Sequence, residues 1–273
     1  MPLATTSDLV GAARAGVAAF NVITVEHAEA IVTGAEEAGR PVILQVSENA
    51  VRFHGRLEPL SAACVALAGA AALPVALHLD HVTDPDLLHQ APAAGYSSAM
   101  FDASTLDYAG NVAATRDAAE WAHRHGLWLE AELGEVGGKG GAHAPGVRTD
   151  PDEARSYVAA TGVDALAVAV GSEHAMTNQT ASLDLDLVSR LRDAVPVPLV
   201  LHGSSGVPDA ELARAVAAGM VKINIGTALN VAFTGAVRAC LDADPRGVDP
   251  RRYLAVARRE MAATVRRLLL ALA

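Results

Sequence analysis

The chain has 273 residues, 51% of them hydrophobic, enough to bury one large core. A formal net charge of −10 and a pI of about 5.4 disfavour a nucleic acid or an anionic membrane surface as partner. Two cysteines far apart, Cys64 and Cys240, make no CxxC pair and no disulfide framework, which fits a reducing cytoplasm. No basic-then-apolar leader is evident at the N-terminus, and no apolar run approaches the ~20 residues of a membrane helix.

Taken in order, residues 6–15 predict a short helix capped by Thr6 or Ser7. Strands and helices then alternate. A strand over 16–22 leads to a helix over 25–39 ended by Gly39. A strand at 41–47 and a helix at 57–72 precede the apolar strand 75–80. Thr83 or Asp84 caps the next helix, with Pro85 at its first position. Strand 97–104, helix 106–126 and strand 127–134 run into a glycine-rich loop, 134–148. Helix 150–162, strand 165–171, helix 184–195, strand 198–205, helix 207–219 and strand 221–227 follow. Helices at about 229–242 and 250–271 close the chain. Eight short apolar strands separated by helices, with no break in composition, predict one domain over residues 1–273: a parallel (β/α)8 barrel with extra C-terminal helices. A doubly wound open sheet is the competing arrangement.

In a barrel enzyme, chemistry sits at the C-terminal ends of the strands. Here those ends carry Asn21, Ser47, Asp80 with His81, Asp102 with Ser104, Glu132, His174, His202 and the run NIGT (224–227). Each alone reads as a cap or turn residue. Polar groups from all eight strands converging on one rim read as a site. His78, Asp80 and His81 crowd one apolar strand, where burying charge is costly unless it is paired or metal-bound. They suit a metal ligand beside a general acid–base, or a hydrogen-bonded polar pair closing the strand. His81, His174 and His202 lie on different strands, and three imidazoles with an open position are a common catalytic zinc arrangement. His78 shares the parity of Asp80 and reads as a hydrogen-bonded core residue. His27, His54, His89, His123 and His125 fall on predicted helices or loops and read as solvated surface residues. GSSG (203–206) and NIGT follow the last two strands, the usual phosphate site of this fold, where backbone N–H groups and hydroxyls approach an anion.

Together AFNV (19–22), LHLDH (77–81), SSAMFDAS (97–104), EAELGEVGG (130–138), VAVGSEH (168–174), PLVLHGSSGVP (198–208), VKINIGT (221–227) and DPRRY (249–253) resemble the class II, zinc-dependent ketose-bisphosphate aldolases. The match runs in order over nearly the whole chain. The resemblance implies a zinc ion on His81, His174 and His202, with Asp102 and Glu132 as alternate or second-metal ligands. The second ion would be another divalent metal or a monovalent cation. It implies that Asp80 protonates the aldehyde-derived oxygen on condensation and removes that proton on cleavage. It places the phosphate of dihydroxyacetone phosphate on Gly203, Ser204, Ser205, Asn224, Ile225, Gly226 and Thr227, with Asn21 and Ser47 lining the pocket. Arg251 would reach the distal phosphate from a neighbouring subunit of a homodimer or homotetramer; otherwise it is a surface salt-bridge residue.

Cleaving a ketose between C3 and C4 leaves a carbanion that needs an electron sink. Zinc is one such sink. A lysine Schiff base is the other, and it has only Lys139 and Lys222 to draw on. Lys222 shares the parity of Asn224 and so can point inward.

Two departures from the family pattern stand out. Ala175 replaces the glycine that usually follows the sixth-strand histidine and packs on substrate. The loop after EAELG lacks the family's acid: no Asp or Glu lies between Glu135 and Asp150, which leaves His143 as the candidate for the substrate proton. A solvated His143, with Asp80 or water serving instead, is the alternative. The expected function is therefore a cytoplasmic zinc aldolase acting on a fructose- or tagatose-type bisphosphate. The rivals are an aldolase for another acceptor aldehyde and a non-catalytic sugar-phosphate-binding barrel or partner subunit.

Overall fold

Eight parallel strands hydrogen-bond in sequence order and the last pairs with the first, so the sheet closes into a barrel. A computed structural model describes residues 3–133, 147–173 and 175–273. The strands are β1 Val17–Asn21, β2 Val42–Ser47, β3 Val75–Val82, β4 Ser98–Phe101, β5 Trp128–Glu132, β6 Ala165–Ala167, β7 Leu199–Leu201 and β8 Met220–Ile225. Between and around them run α1 Thr6–Gly11, α2 Val25–Ala38, α3 Glu48–His54, α4 Glu58–Ala70, α5 Pro85–Leu88, α6 Tyr108–Arg124, α7 Pro151–Thr161, α8 Leu185–Ala194, α9 Asp209–Ala218, α10 Thr227–Ala243 and α11 Pro250–Ala271.

Strand alternation sorts side chains into two shells. Phe20, Leu44, Leu77, Leu129, Leu166 and Ile223 face outward and join the helices in the main core. Val17, Ala19, Ile43 and Ala76 fill the lower lumen, where Leu9 of α1 packs beneath them. Thr6 ties α1 across that mouth through its Oγ1, 2.6 Å from Ser98 Oγ. The lower end of the barrel is thus closed by α1, and the polar residues that line the cleft lie toward the C-terminal strand ends. Helix α11 packs on α2 and α10, adding a layer beyond the eight βα units.

The structure departs from the sequence expectations locally. Thr5, not Thr6 or Ser7, caps α1, accepting from Asp8 N. Residues after β2 fold into α3 because Ser47 accepts from Ala50 N at its start. Strands β6 and β7 are only three residues long, shorter than the runs 165–171 and 198–205 predict.

Candidate active site

The site begins with an irregularity in β3. Opposite β4, His78 pairs Ser98 and Leu79 pairs Ala99, but Val82 pairs Phe101, so β3 carries one extra residue. The bulge falls on Asp80 and His81, and His81 takes a left-handed φ of 51°. In a regular strand neighbouring side chains point to opposite faces. Here both Asp80 and His81 line the cleft at the barrel mouth.

His81, Glu132 and His202 bring ligand atoms within 4.8 Å of one another, the one such group found among the described residues. The two rings meet edge to face at 4.9 Å. Each ring is fixed from behind by a carboxylate. His81 Nδ1 donates to Asp102 Oδ2 at 2.8 Å, and His202 Nε2 donates to Glu130 Oε1 at 2.8 Å. That leaves His81 Nε2, and His202 Nδ1 at 3.4 Å from Glu132 Oε2, as the inward nitrogens. Burial alone would lower the His202 imidazole, but hydrogen bonds to Glu130 and Glu132 outweigh it and raise it to about 9. Burial pushes the Glu132 carboxyl up, only partly offset by His202. Two imidazoles and a desolvated carboxylate form a donor set that a divalent transition metal would neutralise and bridge.

Asp80 stands beside this set. Burial would raise its carboxyl, yet His81, His202, His78 and Lys222 together hold it well below the usual carboxylate range. It is therefore held as a carboxylate. Its Oδ2 accepts from Asn21 Nδ2 at 3.1 Å, and Asn21 Oδ1 accepts from Gln45 Nε2 at 2.9 Å. Asp80 Oδ1 and Asn224 Nδ2 are buried without a protein hydrogen-bond partner, as groups kept for a ligand would be.

The cleft holds about 220 Å³. Asn21, Ser47, Ala175, Gly203, Ser204, Ser205, Asn224, Gly226 and Thr227 line it. Ile23, Gln45, Asn49 and Asn230 also line it and were not anticipated. Gln45, the one polar residue in the apolar run VILQV, was the available signal. Ser204–Gly206 forms a short 3-10 turn and α10 starts at Thr227, both on the cleft wall, and Ser205 Oγ links them by accepting from Ala228 N at 3.1 Å. Gly203 has φ 67°, and a Cβ there would stand 2.6 Å from the Glu173 backbone. A Cβ on Gly226 would stand 2.8 Å from Asn21 Oδ1. Ile225 is buried in the outer core, so only its main chain faces this region.

Other expected residues fall elsewhere. His174, His143 and Lys139 lie outside the described residues. Arg251 is 89% exposed, pairs with Asp249 and does not line the cleft of its own chain. His78 is fully buried and within 2.8 Å of Ser98 Oγ, with burial driving its ring down to about 3. Lys222 does point inward, but its Nζ donates to Glu130 Oε2 at 2.8 Å and Asn224 Oδ1 at 2.7 Å, beneath the cleft. The surface reading of His27 is wrong. It is 3% exposed, stacked 5.3 Å from Phe233, because α2 turns that face toward α10. His54, His89, His123 and His125 are exposed.

The profile described as "Fructose-bisphosphate aldolase class-II" matches residues 4–272. Among solved structures, the YdjI aldolase from Escherichia coli K12 is 34% identical, with a TM-score of 0.84 over 99% of this chain and 97% of that one. A putative fructose-1,6-bisphosphate aldolase from Coccidioides immitis is 26% identical, with a TM-score of 0.86 over 98% and 95%. A fructose-bisphosphate aldolase from Campylobacter jejuni, 23% identical over 99% and 95%, shares the fold at a TM-score of 0.83.

Proposed function

The chain belongs to the class II fructose-bisphosphate aldolase family, whose members are carbon–carbon lyases, and from that membership we propose that it is zinc-dependent and acts on a ketose 1,6-bisphosphate of the fructose or tagatose type. The products are dihydroxyacetone phosphate and glyceraldehyde 3-phosphate, and the reaction is reversible. What supports this reading is the meeting of His81, Glu132 and His202 beside an ionised Asp80 at the open mouth of the barrel.

His81 and His202 hold the metal, with His174 as the third imidazole. Glu132 is an alternate ligand, and Asp102 serves as a further ligand or as the partner that orients His81. When bound, the zinc ion supplies Lewis acidity for the negative charge that develops at the ketone as the bond breaks. Asp80 takes the C4 hydroxyl proton in cleavage and returns it in condensation. Gln45 and Asn21 hold that carboxylate in place. The backbone at Gly203–Ser205 and 224–227, with the Ser205 and Thr227 hydroxyls, binds the phosphate of dihydroxyacetone phosphate. Ser47 and Ala175 shape the wall, and Arg251 meets the distal phosphate of a neighbouring subunit's substrate. His143 carries the proton of C3. A cytoplasmic homodimer or homotetramer is the setting this expects.

The loop without an acid favours one further reading, an aldolase of this class for another acceptor aldehyde. A panel on the zinc-loaded protein separates the two. Dihydroxyacetone phosphate released from fructose or tagatose 1,6-bisphosphate supports the first. Its release only from other ketose 1-phosphates supports the second, and no release from any contradicts both.

A further inference from the structure

The lumen beneath the cleft holds an ion pair that the reaction as described does not use. Lys222 of β8 and Glu130 of β5 are both fully buried, on strands that do not pair with each other. Lys222 Nζ bridges two acceptors, Glu130 Oε2 at 2.8 Å and Asn224 Oδ1 at 2.7 Å. Glu130 passes the link on through its other oxygen, Oε1, to His202 Nε2 at 2.8 Å.

The hydrogen-bond inventory fixes the direction of every link. An ammonium only donates, so the Asn224 atom it meets is the amide oxygen, and the two amide hydrogens turn toward the cleft. A carboxylate only accepts, so His202 Nε2 carries the hydrogen and Nδ1 is the nitrogen presented beside Glu132. One cation therefore sets two groups at once: an imidazole in the metal-binding set and an amide in the substrate wall. We infer that Lys222 is a positioning residue whose ammonium, acting through Glu130 on His202 and directly on Asn224, registers the metal ligand set against the substrate.

The inference rests on the metal-dependent reading and goes beyond it, because it assigns the split between two arms. Both arms are read on protein that folds cooperatively. Zinc affinity is measured by chelator competition. Dihydroxyacetone phosphate affinity is measured by calorimetry at saturating zinc. Lys222→Met should weaken zinc binding by about 10–100-fold, the usual effect of losing an outer-shell partner, and should weaken dihydroxyacetone phosphate by at least about fivefold. Glu130→Gln breaks only the metal arm, so zinc should weaken similarly while dihydroxyacetone phosphate stays within about twofold. A purely structural pair would lower the melting temperature of both variants without this split. Lys222→Met leaving both affinities within about twofold overturns the inference.

Wild-type protein supplies a readout that does not depend on any variant folding. With ¹⁵N-labelled histidine and bound zinc, His202 should carry its hydrogen on Nε2. Hydrogen on Nδ1 overturns the inference and leaves the metal reading standing. Wild-type protein that takes up no zinc instead overturns the metal reading itself.

Discussion

At the scale of single residues, the account turns on Asp80. Its carboxylate is ionised by the histidines and Lys222 around it and aimed by Asn21. Asp80→Ala should retain zinc and lose cleavage by roughly 10²–10⁴-fold, the usual worth of a general acid–base group. Loss of zinc by that variant would make Asp80 a ligand rather than a base. Ala175 carries a second prediction. Its φ of 60° lies in the left-handed region, which costs a non-glycine residue about 1–2 kcal/mol. Replacement by glycine relieves that cost but adds about 0.4–1 kcal/mol of unfolded-chain freedom. The terms oppose, so Ala175→Gly should raise unfolding stability by no more than about 1.6 kcal/mol in urea titration. Asp80 and His81 were legible in sequence because charges are out of place in an apolar strand. Glu130 was not, because its partners Lys222 and His202 are 92 and 72 residues away and only the closed barrel brings them together.

At the scale of elements, the site depends on how β3 and β8 end. The bulge that turns Asp80 and His81 the same way is a matter of register against β4, which no period within β3 reveals. The β8–α10 junction is testable by substitution. Gly226 has φ −127°, so alanine there is not strained, but its methyl would meet Asn21 Oδ1 at 2.8 Å. Gly226→Ala should therefore fold normally and lower kcat by displacing Asn21 from Asp80. Full activity would show that the Gln45–Asn21–Asp80 chain does not matter. The alternation of strands and helices was readable from hydrophobic runs and from glycine and proline stops, down to Gly39 ending α2 and Pro85 starting α5. Helix α3 was not, because seven residues with a mixed face carry too little periodicity.

At the scale of the whole molecule, barrel closure decides which thiol is reachable. Cys64 is buried and its thiol is pushed up to about 12 by desolvation, while Cys240 is partly exposed. A disulfide reagent should therefore titrate one thiol in native protein and both after denaturation. Rapid reaction of both in the native state would contradict the packing of α4. Arg251, exposed and away from its own cleft, needs a second copy if it is to meet substrate. Subunits carrying Asp80→Ala, refolded with subunits carrying Arg251→Ala, should recover about a quarter of wild-type sites in a twofold-symmetric dimer. No recovery would confine Arg251 to a surface salt bridge. The barrel itself was legible because eight apolar strands admit few other closures. The most direct test of the central claim is aldol cleavage by protein stripped of metal, then reloaded with zinc, alongside His202→Ala treated the same way. The account predicts no cleavage when stripped, full recovery on reloading, and neither zinc uptake nor recovery in His202→Ala. Undiminished cleavage by the stripped protein, or substrate trapped on Lys222 by borohydride, would contradict it.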